Sequence, residues 1–133
     1  GTIDAGQAMS PEWMKLANPV DIWPAVMKHG MRKAYGTALR DALADPEVDG
    51  VLCVSLGLAD EEQVHLGAES VIQELSEEFD KPVVVWFYGS HYADAAKRGE
   101  QAGRAIAVPS LESGVRLLAS MFRYERWKGT ASP

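Results

Sequence analysis

The stretch that decides the fold is Val51-Leu52-Cys53-Val54-Ser55-Leu56-Gly57. It is an apolar run, rich in β-branched residues, that ends at a glycine and lies between two segments with helical periodicity. A continuous apolar run in that setting is typical of a parallel strand buried on both faces. The chain's single cysteine, Cys53, lies inside the run, so we expect it to be a packed small hydrophobe without a disulfide partner.

Two further apolar runs follow, each one helix later, at residues 82–89 and 104–109. Amphipathic patterns alternate with the three runs. The first covers residues 31–44, and the second opens at Asp60 and ends at Phe79. A short third segment follows Ser90, which can cap it, and stops at Gly103. Ser110 caps the last helix, whose apolar stripe is Leu111, Val115, Leu118, Met121 and Phe122. Pro24 suits the first turn of an additional helix that His29-Gly30 interrupts.

This alternation predicts an α/β fold, a three-layer flavodoxin-like or Rossmann-like unit with a short parallel sheet of three to four strands. A length of 133 residues suits one domain with one core. We expect an irregular N-terminal lead over residues 1–17, the domain over 18–128, and a flexible tail over 129–133.

Composition narrows the class of partner. The net charge of −6 argues against a nucleic-acid surface, which needs a basic face. No apolar run approaches the roughly 20 residues that cross a membrane. No charged-then-apolar leader opens the sequence, so the expectation is a cytoplasmic protein with no membrane or nucleic-acid partner.

Candidate binding residues lie where the predicted strands end. In open α/β sheets, ligands bind beyond the carboxyl ends of the strands, and each end here leads into a helix N-terminus whose free N–H groups can hold an anion. The candidates of this kind are Ser55, Gly57, Gly89, Ser90, His91 and Ser110. Neither a Walker-type loop nor a G-x-G-x-x-G motif occurs, so nucleotide binding by this chain alone has weak support. We assign no catalytic residue.

Several side chains admit two interpretations. His91 is a candidate nucleophile or acid/base group, but an exposed loop histidine is favoured because no acidic residue is adjacent to orient it. Asp60-Glu61-Glu62 is a candidate metal or acid/base cluster, with a solvated first helical turn favoured. The histidines lack metal-ligand spacing, so no metal site is predicted. Trp86 is expected in the core, and Trp13, Trp23 and Trp127 are expected to cover sheet or subunit surface, with a ligand platform as the less favoured alternative.

An ordered set of short motifs carries a family resemblance. It begins with Asn18-Pro19-Val20-Asp21 and Tyr35-x3-Leu39, and it continues through Leu43-x-Asp45-Pro46-x-Val48-Asp49-Gly50-Val51-Leu52, Lys81-Pro82-Val83, Gly89, Ala107-Val108-Pro109 and residues 112–124. Together these motifs resemble a recurring block of the NDP-forming acyl-CoA synthetases, the relatives of succinyl-CoA synthetase. The match covers about residues 18–127. No single motif is diagnostic.

The resemblance implies a fragment of a larger enzyme. In that family the block resembles the second half of the last flavodoxin-like CoA-ligase domain of the α-type chain, and the missing first half would explain the short strand count. Family enzymes make acyl-CoA from a carboxylic acid, CoA and a nucleoside triphosphate through an acyl phosphate and a phosphohistidine. CoA and ATP, or another nucleoside triphosphate, with magnesium are therefore implied for the complete enzyme. The implied partners are a CoA-binding Rossmann domain, a phosphohistidine domain and an ATP-grasp domain.

The resemblance also adds Asn18 and Asp21 to the binding candidates. Gly57-Leu58-Ala59 departs from the paired glycines of the succinyl-CoA synthetase pattern, and the three carboxylates of residues 60–62 would oppose a phosphohistidine.

Three functions follow as expectations. The first is a catalytically incomplete ligase domain with interface and phosphate-docking roles. The second is a stand-alone flavodoxin-like binding or assembly module without ligase activity, and the third is a small hydrolase or transferase that uses His91. A sheet edge or face exposed by the missing half would favour association, so we expect a homo-oligomer.

Overall fold

The computed structural model describes residues 18–57, 67–101 and 103–131. Within these ranges, helices and strands alternate along the chain. The elements are α1 (Trp23–His29), α2 (Met31–Ala44), β1 (Val51–Leu56), α3 (Glu69–Glu78), β2 (Val83–Tyr88), α4 (Tyr92–Gln101), β3 (Ile106–Val108) and α5 (Leu111–Ala131). None of these helices is long and apolar enough to cross a membrane.

The three described strands form one parallel sheet in the order β1-β2-β3. Strand β1 pairs with β2 over its whole length, with Val51 opposite Val83, and β2 pairs with the short β3 from Val84 opposite Ile106. The structure thus confirms the predicted α/β class and its short parallel sheet.

One face of the sheet is covered by α2, α3 and α4. Alternate strand residues point to this face, because side chains along a strand alternate between its two sides. The buried residues that pack together there are Leu39, Leu43, Cys53, Ala68, Val71, Ile72, Leu75, Val83, Val85, Phe87, Ala95 and Ala105. Cys53 is a buried free thiol, as the sequence predicts.

The opposite face of the sheet packs against α5. Gly114 allows a close approach, since a Cβ at this position would lie 2.7 Å from Leu52 Cδ1 and 3.3 Å from Val108 Cγ2. The buried side of α5 is therefore centred on Gly114. The predicted core stripe is wrong for three of its members, Leu111, Val115 and Phe122, which are 43%, 55% and 44% exposed. The helix also extends to Ala131, three residues into the segment predicted as tail.

The helix predicted from Asp60 to Phe79 is not continuous, because the chain bends at Gly67 and Ala68 and α3 begins at Glu69. Residues 60–62 lie outside the described ranges. Glu69 turns its carboxylate inward, where its two oxygens accept hydrogen bonds from Arg98 of α4 at 2.9 and 3.0 Å. Glu69 is only 2% exposed, so this ion pair joins the start of α3 to α4 inside the protein.

Helices α2 and α3 are joined on the surface by two further ion pairs. Arg32 donates to both carboxylate oxygens of Glu74, at 2.9 and 2.8 Å, and to Ser70 Oγ at 2.7 Å. Two turns further along α2, Arg40 binds both carboxylate oxygens of Glu78. Both pairs are half-exposed and contribute little to stability individually, but they align the two helices.

Replacing Glu69 with alanine is expected to lower the free energy of unfolding by about 3 kcal/mol, because it leaves the Arg98 guanidinium without its buried counter-charge. Urea unfolding followed by circular dichroism measures the change. Asp80→Ala is the control, since it removes the exposed partner of Arg104 and should cost less than about 1 kcal/mol. Equal losses in the two variants would contradict a structural role for the Glu69–Arg98 pair.

Two glycines of α5 should respond in opposite directions to alanine. Gly114→Ala is expected to destabilise the protein by about 1–3 kcal/mol, because the new Cβ overlaps Leu52. At Gly129 a Cβ would meet nothing within 4 Å, so Gly129→Ala should stabilise the helix by up to about 1 kcal/mol. Thermal unfolding of the two variants tests this. A neutral Gly114→Ala would show that the helix can lift from the sheet at no cost.

Candidate functional site

The carboxyl ends of β1 and β2 lie in contact. The Gly57 N–H donates to the Tyr88 carbonyl at 2.8 Å, and a Cβ on Gly57 would lie 3.0 Å from the backbone of His91 and Tyr92. Gly89 has a φ of +99°, a conformation that a side chain would strain. Both glycines are therefore required by the close meeting of the two strand ends, and the candidates Gly57, Gly89, Ser90 and His91 share this edge.

Ser55 is placed differently, because its side chain points to the core face rather than to the edge. The residue is fully buried. Its Oγ has no hydrogen-bond partner among the described residues. The Ser55 Oγ is thus a polar atom among apolar side chains, close to the phenol of Tyr35 from α2.

Ser90 and His91 form the turn into α4. The prediction that Ser90 caps this helix is wrong: α4 begins at Tyr92, and the His91 carbonyl accepts the Ala95 N–H at 3.1 Å, so His91 occupies the cap position. The His91 imidazole makes no hydrogen bond or ion pair to any described residue. Within the described ranges, no group of three His, Cys, Asp or Glu side chains could hold a metal.

Ser110 caps α5, as predicted. Its Oγ accepts the Ser113 N–H at 3.1 Å and shares a hydrogen bond of 2.9 Å with the Ser113 hydroxyl. The Ser110 hydroxyl is therefore used in capping the N-terminus of α5.

The segment from Asn18 to Trp23 runs beside the carboxyl half of β1. The Asn18–Pro19 peptide is cis, and Asp21 Oδ1 accepts the Trp23 N–H at 2.9 Å. A groove of about 340 Å³ separates this segment from the strands, and we call it the Trp23 groove. It is lined by Pro19, Val20, Asp21, Ile22, Trp23, Val26, Tyr35, Val54 and Tyr88. The structure therefore brings Asp21 to the strand ends, whereas Asn18 is exposed outside the groove lining.

Tyr35 is a groove residue that the sequence interpretation missed, because it fits the apolar stripe of α2. Its hydroxyl donates to the Val54 carbonyl of β1 at 2.5 Å. Burial raises the pKa of the phenol to about 12, and nearby Cys53, Tyr88 and Asp21 add to the increase. The nearby Ser55 hydroxyl partly offsets the increase in the pKa of Tyr35. Tyr35 thus stays a neutral donor at ordinary pH.

A second, shallower groove of about 650 Å³ lies on the outer surface of α2 and α3. It is more basic than the first, since His29, Arg32, Lys33 and Arg40 line it together with Glu74. Both arginines are held by carboxylates of α3, as described above, and this leaves little of their charge for a ligand.

Stability should fall as the pH rises from about 9 to 12. Burial raises the pKa of Cys53 to about 12, and that of Tyr35 to the same value, whereas both groups ionise at lower pH when unfolded. A raised pKa contributes stability that is complete below the unfolded value and is lost as the pH approaches the folded one. We expect Cys53→Ala and Tyr35→Phe each to flatten the profile of unfolding free energy against pH, by at most about 1.4 kcal/mol per unit. An unchanged slope in both variants would contradict the assignment.

The fold and the placement of these groups define the class of the protein: a parallel α/β unit of the flavodoxin-like or Rossmann-like kind, with its candidate site at the carboxyl ends of the strands. No family model matches the sequence. No solved structure matches it either.

Two curated relatives do match. The sequence is 32% identical over 121 residues to the α subunit of acetate–CoA ligase [ADP-forming] I from Pyrococcus furiosus. This alignment covers 89% of the present chain and 25% of the relative. The sequence is also 44% identical over 54 residues to acetate–CoA ligase [ADP-forming] II from Archaeoglobus fulgidus. That alignment covers 40% of the present chain and 8% of the relative. The chain therefore corresponds to a segment of the NDP-forming acyl-CoA synthetases, and the resemblance seen in its motifs is confirmed. It spans a quarter or less of the length of these relatives.

Proposed function

We propose that this chain serves as a domain of an NDP-forming acyl-CoA synthetase, the class of ligase that joins a carboxylic acid to CoA at the expense of a nucleoside triphosphate. The observation that carries the proposal is the alignment of 89% of the chain with the α subunit of an ADP-forming acetate–CoA ligase. The parallel α/β fold agrees with it, because the resemblance implies a flavodoxin-like ligase domain.

The chain acts with other domains and is catalytically incomplete alone. The sequence has no phosphate-binding motif of the Walker or dinucleotide type, and the His91 imidazole has no acidic partner among the described residues to orient it. These features favour a division of labour in which a CoA-binding Rossmann domain, a phosphohistidine domain and an ATP-grasp domain supply the remaining groups. CoA and ATP, or another nucleoside triphosphate, with magnesium are then ligands of the complete enzyme.

An interface role is supported by the sheet face that carries α5. One helix over three strands leaves apolar side chains partly uncovered there, namely Val54, Tyr88 and Ile106, each about 40% exposed. Helix α5 itself exposes Leu111, Val115 and Phe122 on one stripe, and all its residues from Phe122 to Ala131 are exposed. We call these three residues of α5, together with Ile106, the α5 patch. Exposed apolar groups of this extent favour contact with another domain or with a second copy.

A phosphate-docking role rests on the strand end at Gly57, because the resemblance implies that Gly57-Leu58-Ala59 matches the start of a helix that faces phosphate in the family. Gly57 packs closely against the His91–Tyr92 backbone, since a Cβ at this position would lie 3.0 Å from it. Residues 58–66 lie outside the described ranges.

The function is tested by reconstitution. The chain is mixed with acetate, CoA, ATP and magnesium, first alone and then with polypeptides that carry the CoA-binding, phosphohistidine and ATP-grasp domains, and thioester formation is followed by absorbance. We expect no acyl-CoA from the chain alone and acyl-CoA only from the complete set. The control is the same set without this chain.

Each outcome separates the hypotheses. Thioester formation by the isolated chain would contradict catalytic incompleteness. Equal activity of the set with and without the chain, combined with a stable complex, would favour the alternative of a binding or assembly module without ligase activity. The self-contained core on the α2–α4 face is the observation that keeps this alternative open.

The α5 patch predicts a specific effect of charge. Val115→Glu is expected to shift the chain from a homo-oligomer towards the monomer, or to weaken its binding to the other domains by at least about tenfold, because a carboxylate would be desolvated in the contact. Sedimentation velocity gives the mass in each case. Lys97→Glu on the opposite side of the sheet is the control, and an equal effect of both substitutions would argue against the patch as an interface.

A further inference from the structure

The Trp23 groove combines one carboxylate with three aromatic side chains. Trp23 and Tyr88 are 48% and 40% exposed, and Tyr35 is partly buried behind them. The remaining lining residues, Pro19, Val20, Ile22, Val26 and Val54, are apolar. No lysine, arginine or histidine of the described ranges lines this groove.

Asp21 is held at the wall of the groove by its own backbone. Its Oδ1 accepts the Trp23 N–H at 2.9 Å, which leaves Oδ2 to face a ligand or solvent. Among the described residues Asp21 has no cationic partner. The groove therefore carries a carboxylate whose charge is balanced by no residue of the described ranges.

We propose that the Trp23 groove binds an organic cation, an alkylammonium or guanidinium group. The faces of aromatic rings attract cations through their quadrupole, and the attraction grows as the cation loses water. A carboxylate beside the rings adds Coulomb attraction of the same sign. The volume of about 340 Å³ accommodates a substituted ammonium or guanidinium head group.

The lining also argues against other ligands. An anion would meet the Asp21 charge and the negative ring faces without any cation to balance it. A neutral planar ring would use Trp23 and Tyr88 but would gain nothing from the charge of the Asp21 carboxylate. A cation satisfies all the groups at once.

Two sources can supply this chemistry: a free small cation, or a lysine or arginine side chain on a partner protein. The groove is formed entirely by this chain, so the inference does not depend on the ligase proposal.

The test is a titration of the isotope-labelled chain, followed by amide and indole shifts in ¹H–¹⁵N correlation spectra. The probes are tetramethylammonium chloride, N-acetyl-lysine methylamide and N-acetyl-arginine methylamide, with sodium chloride at the same ionic strength as reference. We expect saturable shifts at Asp21, the Trp23 indole N–H, Val54 and Tyr88. Saturation by tetramethylammonium alone points to a free cation, and tighter binding of the lysine or arginine probe points to a partner's side chain.

Matched variants separate the groove from the general surface. Asp21→Asn keeps an oxygen for the Trp23 N–H but removes the charge, and Trp23→Leu removes the ring; each is expected to weaken binding at least about threefold. Asp49→Asn and Trp127→Leu alter an exposed carboxylate and an exposed indole elsewhere and should leave the affinity unchanged. Circular dichroism checks that each variant folds.

The inference is overturned by linear shifts that sodium chloride reproduces, by shifts that avoid the groove, or by equal losses in the Asp21 and Asp49 variants. Because Asp21→Asn changes neither volume nor the backbone hydrogen bond, it decides the question even if Trp23→Leu disturbs α1.

Discussion

The parallel pairing of β1 with β2 is the constraint on which the rest of the structure depends. Six residues of each strand pair in one register, from Val51 opposite Val83 to Leu56 opposite Tyr88. This register sends Cys53, Val85 and Phe87 into the core beneath α2–α4, and their neighbours towards α5. A slip of one strand by a single residue would exchange its two faces and place core side chains on the α5 side. The same register brings Gly57 against the His91 turn, so the geometry of the strand ends follows from the sheet.

The local pattern was enough to predict the fold class, the buried Cys53 and the cap at Ser110. These features depend on periodicity, on apolar runs and on residues that end elements. The details that the pattern missed depend on contacts between residues far apart in sequence. Glu69 and Arg98 are 29 residues apart, and their ion pair accompanies the bend before α3. Tyr35 and Val54 are 19 residues apart, and both line the Trp23 groove, which no sequence motif predicts. Gly114 sets the rotation of α5 through a contact with Leu52.

The two faces of the sheet differ in how completely they are covered. Three helices enclose the α2–α4 face, where twelve buried residues form one cluster. Only α5 packs on the other face within the described ranges, and it leaves the α5 patch exposed. A doubly wound sheet normally carries helices on both faces, so the uneven layers agree with the proposed role as one piece of a larger ligase. The relatives, of which this chain spans a quarter or less, are consistent with that role.

The position of Cys53 gives the protein a built-in chemical reporter. It is the only thiol of the chain and lies in the middle of β1, sealed beneath the helices. A reagent that modifies thiolates can reach Cys53 only when the sheet separates from those helices. Such local openings are rare, and their frequency is set by the free energy of opening. The rate of thiol modification therefore measures how often the core opens, without any engineered label.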